Sequence, residues 1–331
     1  MNRRQFVNAL GILPFAAKGL GAQSAAAQGA QAQGTASVPI IDTHIHLFDK
    51  TRPGGAPYPR DLPGGGEPPQ GMIAVPGRYK AIVSPFGVVG AIVVEASPRL
   101  EDNQWILDQA ASAPIIVGLV GRIDPADPAF GKNLERFHRN TLFLGIRQGQ
   151  LHLGLDKPEY MANLKLLAEA DCSLDVDTPR QGMTATEVLV KVLDKVPSLR
   201  LVMDHLPDVR FPDRAIKDNY VAHLKELGQR PQVYIKLSEV VHKSGDKVST
   251  DLSTYKEWLD ELWSIFGEDR VMFGSDWPQS ESLEFNSYPN VIGVARAFVA
   301  TKGPSALDKV FWKNAGRPYR WVQRGPGQRK A

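Results

Sequence analysis

Two histidines one residue apart stand in the run "IIDTHIHLFD", residues 40–49, with Asp42 two positions before the first and Asp49 three after the second. Alternate side chains of a β-strand share a face, so His44 and His46 would present two imidazoles to one side. Such a pair binds a divalent cation or polarises a carbonyl through its N–H groups. His205 in "LVMDHLPDV" and Asp276 in "RVMFGSDWPQ" have the types to join them. A carboxylate among histidines takes a proton from water or fills a metal position. Glu95 in "GAIVVEAS", Arg147 in "LFLGIRQ", Asp177 in "LDVDTPR" and Lys236 in "VYIKLSEV" add further charged groups. Each also has a plainer reading taken alone. An inward histidine is often a hydrogen-bonded core residue, and Asp276 could cap a following helix. Asp204 and Asp208 read as outward-facing or capping.

Something must bring these residues together, and the hydrophobic pattern indicates what. Eight short runs rich in Val, Ile and Leu read as strands: Pro39–His46, Val88–Ser97, Ile115–Asp124, Leu142–Gln148, Cys172–Pro179, Leu199–Leu206, Val233–Val240 and Val271–Trp277. Amphipathic stretches such as "KPEYMANLKLLAEA" and "TDLSTYKEWLDELWSIFG" lie between them, with apolar residues at helical spacing. Strand–helix alternation predicts parallel βαβ units, and eight of them predict a single-domain (β/α)8 TIM barrel over 38–325, followed by a tail, 326–331. An open doubly wound sheet is the alternative. The first strand is not followed by a Gly-rich phosphate-binding turn, which weakens that reading. The candidate residues fall late in their strands, and the C-terminal strand ends form the active face of such a barrel. The Pro- and Gly-rich insertion 50–71 follows the first strand and is expected over the barrel mouth.

The chain has 331 residues, 43% of them hydrophobic, enough for one large core. A net charge of +3 with scattered basic residues leaves no nucleic-acid footprint. One cysteine, Cys172, excludes an internal disulfide and reads as core rather than nucleophile. The start, residues 1–37, is unlike the rest. Arg3-Arg4 precede a short apolar run, Val7 to Ala17, then Lys18 and a tract of Ala, Gln and Gly. This resembles a twin-arginine signal peptide with several cleavage options between Ala25 and Ala32. It implies the twin-arginine export machinery as a partner and a periplasmic location. No later run is long and apolar enough for a membrane anchor.

The motifs "IIDTHIHLFD", "LVMDHLPDV" and "RVMFGSDWPQ", with the supporting runs in order, resemble the amidohydrolase superfamily. The similarity is greatest to its lactonase-like branch, often called amidohydrolase family 2, and spans about residues 38–325. The resemblance implies a small-molecule substrate and a hydrolase that opens a sugar-acid or carboxylated lactone. Asp276 would be general base and then proton donor, while His205 polarises the carbonyl or holds the water. Arg147, Glu95, Asp177 and Lys236 would contact substrate. The fourth strand has no terminal lysine and the fifth no histidine, so a two-metal centre is not expected. Two readings stay open: one Zn²⁺ held by His44, His46 and Asp276, or catalysis without metal. A metal-dependent decarboxylase is the alternative activity, and a non-catalytic binding protein a third. Arg122, Arg147, Arg180 and Lys236 hint at an anionic substrate or stand in structural ion pairs. Trp258, Trp263 and Trp312 on the outer helices fit either core positions or a homo-oligomer interface.

Overall fold

Segments apolar on both faces need cover on both sides, and parallel strands with helical crossovers provide it. The computed structural model describes residues 38–53, 73–95, 97–149, 151–177, 184–207, 214–244, 247–281 and 287–328. The leader 1–37, most of the 50–71 insertion, Arg180, Asp208 and the last three residues lie outside them. The parallel strands are β1 (Ile40–Ile45), β2 (Val88–Val94), β3 (Ile116–Gly121), β4 (Phe143–Gln148), β5 (Ser173–Val176), β6 (Arg200–Met203), β7 (Val233–Leu237) and β8 (Val271–Phe273). They pair in the order β1 to β8. Each expected strand is present, with its bounds drawn in at one or both ends. A two-residue antiparallel hairpin, Lys243–Ser244 with Lys247–Val248, interrupts the connection from β7 to β8.

Two apolar layers hold the barrel. The outer one packs strand residues such as Ile40, Ile45, Val93 and Leu174 against the helices. The helix Lys256–Phe266 shows why it sits there: Trp258, Leu259, Leu262 and Phe266 recur along one buried face. Trp258 is thus a core residue, and Trp263 is partly buried against the same layer. The inner layer fills the barrel with Ile41, Ile92, Val94, Val117, Leu144, Val202 and Met272. Tyr319 and Trp321 from the C-terminal segment join that inner layer. Cys172 is buried, and burial pushes its thiol up to about 12, which leaves it inert at neutral pH. Among the described residues, no helix is long and apolar enough to cross a membrane.

Candidate active site

The polar run of β1 divides between two environments. Asp42, His44 and His46 would share a face on a regular strand. Instead Asp42 pairs with Ala91 and Ile45 with Val93, so β1 spends an extra residue between them. Such a bulge reverses the alternation. Asp42 therefore faces the helices, where Tyr79 Oη donates to Oδ2 at 2.8 Å and Tyr288 Oη at 3.3 Å. His44 and His46 face the barrel interior. Burial raises the Asp42 pKa despite the hydrogen bonds that oppose it, from Ser275 foremost.

The same carboxylate joins the barrel's first and last strands. The Ser275 N–H donates to Asp42 Oδ1 at 2.8 Å. Thr43 Oγ1 donates to the Phe273 carbonyl at 2.8 Å, Asp276 N to His44 O at 2.8 Å, and His46 N to Trp277 O at 2.7 Å. The seam between β1 and β8 is thus closed by the segments that carry the site. Gly274 permits it, because an added Cβ would lie 2.8 Å from His44 Cβ. Asp276 reaches the interior through a left-handed backbone, φ 56°, and not through the strand alternation its sequence position suggests. Left-handed backbone at a non-Gly residue costs on the order of 1–3 kcal/mol and concentrates at functional sites. Among the described residues, Glu239, two residues past β7, is the other such residue at this end of the barrel, with φ 54°.

The side chains converge closely. His44 Nε2 lies 3.3 Å from His46 Nε2, and Asp276 Oδ1 lies 3.5 Å from the first and 3.0 Å from the second. The His44 and His205 rings are 4.7 Å apart. His46 Nδ1 is 2.6 Å from the Val94 carbonyl, which only accepts, so Nδ1 carries a proton and Nε2 is the atom turned toward His44 and Asp276. His205 Nδ1 contacts Ser238 Oγ at 3.2 Å, which turns Nε2 toward Glu239 Oε1 at 3.8 Å. Burial opposes ionisation of Asp276, but the three surrounding histidines outweigh it and hold the carboxyl below the usual range. Burial pushes His44 well below its ordinary value, with Asp204 only partly offsetting this.

Beneath the histidines lies a fully buried ion cluster. Lys236 Nζ donates to Asp175 Oδ2 and to Asp204 Oδ1, each at 2.8 Å, and lies 3.4 Å from His44 Nδ1. Arg147 Nε sits 2.6 Å from Asp204 Oδ2, and its terminal nitrogen 3.4 Å from Asp177. Tyr319 Oη, from the C-terminal segment, donates to Asp175 Oδ2 at 2.5 Å. Asp204 therefore corrects its expected outward or capping position: it is completely buried and points inward, because three cationic or imidazole partners meet it there. Lys236, expected at the substrate, is likewise fully buried between two carboxylates. Arg147 and Asp177 are nearly buried at the edge of the cluster, and Glu95 is buried with Oε1 accepting from the Ser97 N–H at 2.5 Å.

The geometry suits a divalent cation. A tetrahedral ion with bonds of about 2.0–2.1 Å has ligand–ligand edges of about 3.3 Å. The three separations among His44, His46 and Asp276 bracket that value, and Asp276 Oδ1 is buried without a well-aligned hydrogen-bond donor. The second nitrogen of His46 is anchored on a carbonyl and that of His44 lies 3.3 Å from Asp204, as outer-shell partners of metal-binding histidines do. A second cluster, His205, Glu239 and Asp276, is wider.

Eight parallel strands with ionisable groups gathered at their C-terminal ends define a (β/α)8 enzyme barrel. The chain belongs to the amidohydrolase family, whose profile matches residues 41–321. An L-fucono-1,5-lactonase of Burkholderia ambifaria is 26% identical over 303 residues, covering 88% of this chain and 98% of its own. A Burkholderia multivorans amidohydrolase solved with bound zinc shares the fold, with a TM-score of 0.72 at 22% identity over 86% of this chain and all of its own. The 5-carboxyvanillate decarboxylase of Sphingomonas paucimobilis shares it more distantly, with a TM-score of 0.59 at 15% identity over 86% of this chain and all of its own.

Sequence reasoning passed over Asp42, Asp204 as a site neighbour, Glu239 and Tyr319. For Asp42 the cue was available: a buried acid two residues before the histidine pair needs donors, and tyrosines elsewhere can supply them. Glu239 had none, because "KLSEV" reads as ordinary strand alternation and its backbone conformation is not encoded in residue type.

Proposed function

We propose that this protein is a hydrolase that opens a sugar-acid lactone by attack of water. One observation carries the reading: Asp276 Oδ1 sits within 3.5 Å of two imidazole nitrogens at the C-terminal end of the barrel. The lactonase relative, matched along nearly its whole length, supports a cyclic ester as the substrate class.

Asp276 is the base. Its depressed pKa keeps it ionised across the neutral range. It takes a proton from the water, whose oxygen bonds to the lactone carbonyl carbon as the carbonyl electrons move onto oxygen. His205 faces the developing oxyanion. When the Ser238 hydroxyl donates to Nδ1, the imidazole proton sits on Nε2 and is available to that oxygen. Collapse of the tetrahedral species breaks the ring C–O bond, and the leaving alkoxide recovers the proton from Asp276. The product is an open hydroxy acid. His44, His46 and Asp276 would hold a divalent ion, which when bound polarises the carbonyl and makes water more acidic.

The test is proton release on a panel of sugar-acid and unsaturated dicarboxylic lactones, with Asp276→Asn alongside. Turnover in the parent with a loss of about 10²–10⁴-fold in the variant is expected. A parent inactive on the whole lactone panel, with metal supplied, overturns the reading. Release of carbon dioxide from aromatic acids would then install the decarboxylase alternative.

A further inference from the structure

The ring of strands closes unevenly. Neighbouring strands from β1–β2 through β7–β8 are joined by ladders, whereas among the described residues β1 meets the chain past β8 in one isolated bridge, Ile45 with Trp277. His44 and Asp276 stand on opposite sides of that seam, with side-chain atoms 3.5 Å apart. The β1–β2 register passes over Thr43 and His44 at the bulge, so that ladder does not fix His44 from its other side. Asp42 spans the seam beside them. Its Oδ1 accepts from the His44 N–H at 3.3 Å and from the Ser275 N–H at 2.8 Å, so one buried atom is held by the main chain on both sides. Ser275 directly precedes Asp276. The other oxygen, Oδ2, accepts from Tyr79 and Tyr288 on the helices Pro76–Val83 and Tyr288–Ala300. A carboxylate has acceptor positions for all four donors. The two oxygens therefore have separate tasks: Oδ1 ties one site segment to the other, and Oδ2 ties both to the helices.

We propose that Asp42 is a positioning residue: by gripping the His44 and Ser275 amides with one oxygen, it sets the separation of the His44 ring and the Asp276 carboxylate. This rests on the reading of His44, His46 and Asp276 as the reactive group. Asp42 faces the helices and acts only through the main chain of the residues it holds. A misplacement of about 1 Å at such a group costs about 10²-fold in rate, so a clamp on both backbones matters to turnover as well as to folding.

The experiment measures zinc affinity by calorimetry on the chelator-stripped full chain, with kcat and KM on a sugar-acid lactone, in the parent, Asp42→Ala, Asp42→Asn and Tyr288→Phe. Asp42→Ala should weaken zinc binding about 10- to 100-fold and lower kcat by a similar factor, with KM within about 3-fold. Asp42→Asn keeps an acceptor for the two amides and offers its own N–H groups to the tyrosine oxygens, so zinc affinity and kcat should stay within about 3-fold of the parent. Tyr288→Phe removes a donor to Oδ2 alone, so Tm should fall by a few degrees while zinc affinity and kcat hold. Unchanged zinc affinity and kcat in Asp42→Ala, an equal loss in Asp42→Asn, or an equal loss in Tyr288→Phe overturns the assignment. If Asp42→Ala does not fold, Asp42→Val combined with Tyr79→Phe and Tyr288→Phe is judged by the same criteria, because it strands no hydroxyl. A parent that binds zinc and opens no lactone overturns the hydrolase reading, and zinc affinity then decides the role of Asp42. A parent that does neither overturns both.

Discussion

Lys236 Nζ and Asp204 Oδ1 lie 2.8 Å apart with no solvent exposure on either side chain. They form the middle of a chain of contacts that runs from Tyr319 through Asp175, Lys236 and Asp204 to His44 Nδ1. The cations outweigh burial at Asp204, where Lys236 and then Arg147 hold the carboxyl well below its ordinary range. The cluster therefore carries permanent charge beneath the His44 imidazole.

Removing one member of a buried ion pair leaves its partner uncompensated, which costs about 3–5 kcal/mol. Lys236→Met is expected to lose that much in urea denaturation, with the slope unchanged. A loss under about 1 kcal/mol would mean that the cluster contributes little to folding.

Gly274→Ala tests the seam. The new methyl would meet His44 Cβ at 2.8 Å, and both atoms are fixed to neighbouring strands. Overpacking of this kind costs about 1–3 kcal/mol. A fall in Tm is expected together with a fall in kcat, since His44 is the group displaced. A normal kcat in the folded variant would show that the position of His44 is not critical.

Folded Asp175 keeps its proton up to about pH 6, chiefly through burial, with Lys236 opposing, whereas 3.8 is its ordinary value. Between these values the folded state binds more protons, so this group makes stability fall as pH rises from about 4 to 6. Asp204 and Asp276 act in the opposite sense, and their contribution is lost as pH falls below about 4. Denaturation curves across pH 4–6 should show a shallower decline in Asp175→Asn than in the parent. Identical slopes would refute the role given to Asp175.

Metal is tested without reference to turnover. Zn²⁺ added to chelator-stripped protein at about 100 times Kd would stabilise it by about 2.7 kcal/mol, several degrees in Tm. His46→Ala should abolish that shift. A shift that survives the substitution places the ion elsewhere.

The leader is tested in cells. Replacing Arg3 and Arg4 by lysine is expected to retain the protein in the cytoplasm, measured by fractionation against the parent. An unchanged distribution would remove the export proposal.

The barrel was legible because its information is local. Eight runs of branched apolar residues, each followed by an amphipathic stretch, are repeated signals that survive errors at any one boundary. The gathering of His44, His46, His205 and Asp276 was legible for a related reason: each stands late in its strand, and a parallel barrel brings those ends to one face. What failed was orientation. Asp204 was misplaced because an acid looks outward until a buried lysine and arginine are known to meet it. Asp42 and His44 share a parity in sequence but not in space, since the bulge in β1 is set by its pairing with β2. Asp276 and Glu239 are aimed by backbone angles that closure of the barrel imposes after the strands end. The amino-acid sequence by itself determined the strands, the helices and the strand ends at which polar side chains collect. Only the tertiary structure decided which carboxylates face inward and which cation neutralises each, because burial and charge compensation depend on partners up to 246 residues apart in the chain.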